Sequence, residues 1–202
     1  MTTLETVAAI HEFWFGTDLD DVKAADQKKK LWWSKDTAVD NIIAQRFDKS
    51  TLAAADGVLN SWGKTPRGLL ALILITDQFP RNMYRGTSNA FAYDHIALQL
   101  SLQALEQGVD QLLRPIERVF VYLPLEHSEA IADQERAVQL FEQLASDVTA
   151  AQKSTFDGFH QYAIRHRDII VRFGRFPHRN EILGRTSTEE ESAFLKTAGS
   201  SF

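Results

Sequence analysis

Cysteine is absent from this 202-residue chain, which removes disulfides, thiolate chemistry and cysteine-held metals together. Its absence fits a reducing cytosol, so the expected location is cytoplasmic. The opening residues Met1-Thr2-Thr3-Leu4-Glu5 lack the basic start and apolar core of a secretory signal. Long hydrophobic runs are missing too: the most apolar one, Leu69 to Ile75, is far too short to span a bilayer, and no membrane partner is expected. Basic residues are outnumbered by acidic ones, leaving a net charge of −5, which argues against general nucleic-acid binding. There is no Gly-rich phosphate loop, no Gly-x-Ser-x-Gly elbow and no paired-histidine zinc helix, so neither cofactor nor metal is expected.

Strand signals are scarce, and helical periodicity fills the chain. Leu4, Val7, Ala8, His11 and Trp14 share a stripe that Gly16 terminates. Asp36 is placed to cap a segment turning Val39, Ile42, Ile43 and Phe47 inward, and Ser50 to begin a short helix through Leu52, Ala55 and Leu59. Thr65-Pro66 is a helix start, opening an almost wholly apolar helix that should be central and end at Phe79-Pro80. One long helix is expected from Ser88 to Gln107, a short one from Pro115, another from about Ser128, and another through Phe156, Ile169 and Phe173, closed by Gly174. A last one begins at Ser187 with Glu190 as its capping-box partner. Linkers are short and no Gly/Ser-rich stretch divides the chain. The expected fold is a single all-α domain over residues 1–202, built of antiparallel helix pairs stacked as a tetratricopeptide-like helical repeat.

The phrase Gln78-Phe79-Pro80-Arg81-Asn82 returns as Arg175-Phe176-Pro177-His178-Arg179-Asn180. Each copy sets guanidinium forks, suited to carboxylates or phosphates, behind an aromatic residue and a proline. Two further phrases mix polar and aromatic groups: Tyr122-Leu123-Pro124-Leu125-Glu126-His127-Ser128-Glu129, and His166-Arg167-Asp168. Asp77, at the end of an apolar helix, must be paired or protonated if buried, and Arg81 is its nearest candidate partner. Glu126 beside His127 can hold an imidazole tautomer as general-base chemistry requires, while Ser128-Glu129 also reads as a helix cap. His166 lies on the stripe of Ile169, Ile170 and Phe173, as a hydrogen-bonded core residue would, with Asp168 in reach of Arg172 or Arg165. Arg175, His178 and Arg179 project donors from a loop anchored by Phe173 and Phe176, with Asn180 placed to cap the next turn. The Trp32-Trp33 pair reads as a packed core corner.

These phrases resemble a widespread family of bacterial and eukaryotic proteins, domain of unknown function 924. The resemblance runs through Leu70–Asn82, Arg118–Glu129, His166–Asn180 and Leu183–Glu190. It implies an all-helical fold similar to tetratricopeptide repeats and carries no activity over.

Two functions remain in view. One is a binding module for an anionic small molecule or acidic peptide end, using Asp77, Arg81, Asn82, Glu126, His127, Arg175, His178, Arg179 and Asn180. The other is a hydrolase with His127 or His178 as general base, Glu126 or Asp77 orienting it, and an arginine stabilising developing negative charge. No nucleophile–base pair is visible, which favours the first.

Overall fold

Short polar side chains start the first three helices. In the structure, a computed structural model that describes residues 4–200, Thr6 accepts the backbone N–H of Ala9 to open α1 (Val7–Phe15). Asp20 opens α2 (Asp21–Trp33) and Asp36 opens α3 (Thr37–Ala55), each carboxylate accepting two backbone N–H groups of the first turn. The residues Met1 to Thr3, read above for a leader, lie outside the described residues, as do 201–202. α3 runs straight through Ser50, which starts no helix: it is buried, and its hydroxyl accepts the N–H of Glu5 at 3.2 Å. Ile42 and Leu52, expected inside, are about half exposed, because Ile43 and Phe47 take the core side of the turn.

Thr65 and Pro66 open α4 (Pro66–Ile73), Thr65 Oγ1 accepting Gly68 N–H at 3.1 Å. The chain does not stop at Pro80. Leu74–Gln78 form a π turn, in which Phe79 N–H bonds Leu74 C=O, and the helix continues as α5 (Phe79–Met83). Proline ordinarily breaks a helix because it lacks an N–H and its ring crowds the carbonyl four residues back. The wider π turn accommodates this change in bonding, and such turns mark functional sites often. Glycine, by contrast, does end α9 (Lys153–Phe173): Gly174 sits at φ 68, a left-handed conformation that costs other residues more.

A 3-10 turn at Ser88–Phe91 interrupts the single long helix expected there, and α6 begins only at Asp94 (Asp94–Glu106). α7 (Pro115–Glu126) is buried along nearly its whole length and packs on α2, α4, α6, α9 and the helix that follows α7. The short link between α8 (Ile131–Asp147) and α9 (Lys153–Phe173) folds them back on each other, tied by Lys153 Nζ donating to Ala145 C=O at 3.1 Å. After a 3-10 turn at Pro177–Arg179, α10 (Glu189–Phe194) starts on a capping box of Thr188 and Glu191, one residue later than the expected Ser187–Glu190 pair.

The core is aromatic at its centre. Phe79 lies 4.5 Å from Phe47 and 5.2 Å from Trp14 by ring centroids, and Phe120 lies 4.9 Å from Trp32. Trp32 is buried, donating its indole N–H to Trp14 C=O at 3.0 Å; Trp33 is half exposed but stacks on Phe120. The fold is all-α, with no strand among the described residues, and no described helix is long and apolar enough to cross a membrane. The two copies of the Phe-Pro phrase have different backbones, a continuous helix in the first and a 3-10 turn in the second.

Candidate functional site

The π turn directs Asp77 into a fully buried position. There its Oδ1 stands 2.8 Å from His127 Nδ1 and 3.2 Å from Arg81 Nη1, and Oδ2 accepts from Gln78 Nε2 at 2.6 Å. Burial alone would raise this carboxyl, but Arg81 and His127 hold it well below the usual carboxylate range. Asp77 is therefore ionised, and the hydrogen between it and His127 resides on Nδ1. Burial and the Arg81 charge keep His127 below the ordinary imidazole value, against the pull of Asp77. At neutral pH the ring is uncharged and Nε2 carries a lone pair.

Arg81 reaches a second carboxylate as well. Its Nη1 and Nη2 donate to Asp94 Oδ1 and Oδ2 at 2.8 and 2.9 Å, and Nη1 also donates to Asp77 C=O at 2.7 Å. Arg179 Nη1 lies 3.7 Å from Asp94 Oδ2, beyond hydrogen-bond distance. Its guanidinium carbon sits 4.7 Å from the Phe91 ring centroid and 4.5 Å from that of Phe176. The side chain is buried and its Nε has no hydrogen-bond partner. Burial and the neighbouring Arg81 charge bring Arg179 down to about 10, so it is still a cation at neutral pH.

Glu126 does not orient His127. Consecutive residues at a helix end point to different sides, and Glu126 Oε1 lies 2.9 Å from Nδ1 of His166, which is also 2.9 Å from Tyr162 C=O. Asp77, distant in sequence, takes the orienting place instead. The His127 and His166 rings are 6.4 Å apart, His166 and Phe176 5.7 Å, and Phe176 and His178 5.6 Å. Burial, with Arg179 and His166 nearby, pushes His178 down to about 3. The contacts thus run in a ring: His127, Asp77, Arg81, Asp94, Arg179, Phe176, His166 and back to His127. All four polar phrases contribute to it or brace it.

Three candidate residues are held elsewhere. Asn82 Nδ2 donates to Asp40 at 2.9 Å, a carboxylate that also takes the Arg85 fork. Arg175 forks onto Glu191 at 2.6 and 2.8 Å, and Asn180 Nδ2 reaches Ser187 Oγ and the same Glu191. Glu129 caps no helix: it takes the Arg185 fork and the Phe176 N–H, fixing the turn that carries Arg179. Ser128 Oγ accepts Ala130 N–H and donates to Asp133, just ahead of α8. Asp168 pairs with Arg167, while Arg172 pairs with Glu190.

Asp94 and Phe91 are the site members that the sequence did not announce. Both lie inside what read as one uninterrupted helix, and only the acid at the true first turn of α6 was a signal. Among the described residues no group of three His, Asp or Glu side chains is arranged to hold a metal ion. A separate open groove of about 460 Å³ lies by α1 and the start of α7, lined by His11, Arg67, Arg114 and Glu117 among others; it includes none of the candidate site residues.

A family model for bacterial proteins of unknown function, DUF924, matches residues 10–199. A solved structure of a protein of unknown function, ATU0120, from Agrobacterium tumefaciens is 40% identical and covers 94% of this chain and 96% of its own, with a TM-score of 0.78. No curated protein matches the chain.

Proposed function

The chain belongs to the DUF924 family, and from its site we propose that it binds the anionic group of a small molecule or peptide end, with Arg179 as the seat. One observation carries this reading: a buried guanidinium whose Nε has no partner and whose nearest carboxylate is 3.7 Å away. Leaving buried donors unpaired is costly, typically about 1–3 kcal/mol each and more for charged groups. A carboxylate or phosphate would take the fork through two parallel N–H···O bonds. Phe91 and Phe176 both hold the fork by close ring contacts, so little order is lost on binding. Arg81, saturated by Asp77 and Asp94, serves as a brace. A cysteine-free chain suits a cytoplasmic setting for such a binder.

The test is a thermal-shift series with acetate, phosphate and short acidic peptides on wild type, Arg179→Ala and Arg179→Lys. Wild type should be stabilised, Arg179→Ala should not respond, and Arg179→Lys should respond weakly, having charge without the fork. A wild type that no anion shifts, alongside a destabilised Arg179→Ala, makes Arg179 purely structural.

The Asp77–His127 contact favours a second reading, a hydrolase in which His127 Nε2 draws a proton from water and Arg179 stabilises the oxyanion that forms. His178, at about 3, is too weak a base for that role at neutral pH. A substrate screen in which His127→Ala abolishes turnover while anions still stabilise the variant supports this reading; turnover that survives His127→Ala rejects it.

A further inference from the structure

A binding site is defined by the hydrogens it offers and by those it requires. The guanidinium of Arg179 can only donate. His127 is different, because its Nδ1–H is committed to an ionised Asp77 at 2.8 Å, which leaves Nε2 as an acceptor. No hydrogen bond to Nε2 exists among the described residues, and 14% of the His127 side chain is exposed. Donor and acceptor belong to the same ring of contacts, joined on one side through Asp77, Arg81 and Asp94 and on the other through His166 and Phe176. A fully deprotonated oxyanion satisfies Arg179 but sets its negative oxygen against the Nε2 lone pair. An oxyanion that keeps one hydroxyl satisfies both.

We infer that the site selects oxyanions that retain a proton, namely phosphate and phosphomonoesters over sulfates and plain carboxylates, and that the Nε2 lone pair of His127 is the selecting group. The inference rests on Arg179 as the anion seat and narrows the ligand class. Asp77 acts through His127 as a positioning residue, since its carboxylate fixes the tautomer. Arg81 in turn keeps Asp77 ionised. The selectivity has a plain chemical origin: sulfate and phosphate esters share shape and oxygen count, but only the phosphate holds a hydrogen in water near neutrality. A site with a buried group to satisfy rejects the analogue that lacks the matching one far more strongly than a difference in size would achieve.

Isothermal titration calorimetry on the whole chain at about pH 6, near the second pKa of a phosphomonoester, tests this with methyl phosphate and methyl sulfate, monoanions of matching shape, and with acetate as the carboxylate. Methyl phosphate should bind at least about tenfold more tightly than methyl sulfate or acetate. His127→Phe keeps an aromatic ring and removes the acceptor; it should bring methyl phosphate down to the affinity of methyl sulfate. Equal binding of the two esters by wild type overturns the inference and leaves Arg179 as the seat. Selectivity that persists in His127→Phe takes the role away from His127. Failure of wild type to bind any of the three overturns the seat as well. Should His127→Phe not fold, the comparison of esters on wild type still decides whether the site selects for a proton.

Discussion

Arg81 and Arg179 share one carboxylate: Asp94 takes both terminal nitrogens of Arg81 and stands 3.7 Å from Nη1 of Arg179. It has one negative charge to set against two guanidinium groups, and Arg81 holds the better geometry. Asp94→Asn should therefore act in opposite directions on stability and binding. Loss of two charge-assisted bonds to Arg81 should lower unfolding free energy by about 1.5–3 kcal/mol in urea melts. Removal of the competing anion should strengthen phosphate binding at Arg179, by roughly up to tenfold in calorimetry. Weaker binding in Asp94→Asn would mean that Asp94 orients Arg179 instead of competing for it.

Asp77→Ala should be among the most damaging single changes. It strands His127, leaves Arg81 with Asp94 alone and breaks a buried ion pair, at a cost of about 3–5 kcal/mol in chemical denaturation. Asp77→Asn, which retains an acceptor for His127, should cost less and serve as the milder control.

Acid should destabilise the protein partly through His178. Its folded value of about 3 lies below the ordinary 6.5, so between these limits the unfolded chain binds the proton and the folded chain does not. Stability from this group is complete above pH 6.5 and falls as pH drops toward 3, with a slope of up to about 1.4 kcal/mol per pH unit, that of a single proton. Urea midpoints measured across this interval should decline less steeply in His178→Phe than in wild type. Identical slopes would show that His178 is not held neutral by the fold.

Phe79→Ala should cost about 3–5 kcal/mol, since its ring is wholly buried against Phe47 and Trp14. Exposed Leu19, in the same urea assay, should tolerate alanine within about 0.5 kcal/mol.

Helices declared by local chemistry were legible in the sequence. Thr65-Pro66, Gly16 and Gly174 act on their immediate neighbours, and each does in the fold what its side chain or lack of one dictates. Pro80 was misread because the remedy for a proline, a wider turn at Leu74–Gln78, is written in no single residue. The polar phrases marked where a site could be, and Arg81 beside Asp77 followed from helical spacing. Glu126 and Asp77 were both candidates to orient His127, and the sequence did not decide between them: Glu126 is its neighbour along the chain, whereas Asp77 becomes its neighbour only when the π turn and α7 pack together. Asn82, Arg175 and Asn180 resembled site donors because amide and guanidinium groups look alike whether they meet a ligand or tie a loop to Asp40 or Glu191.

The π turn also makes the length of the chain, and not only its composition, a determinant of the site. Each residue of a regular helix advances the facing direction by about 100°. The turn at Leu74–Gln78 takes in a residue more than an α turn, so the helix beyond it is rotated relative to the helix before it. That rotation lets one continuous rod turn Leu70 and Ile73 into the core, then Asp77 to His127, then Phe79 back among Phe47 and Trp14, and Arg81 out to Asp94. With one residue excised there, the helix beyond Gln78 would lose that rotation. The side chains would all still be present, and the ones beyond the turn would be aimed at the wrong neighbours.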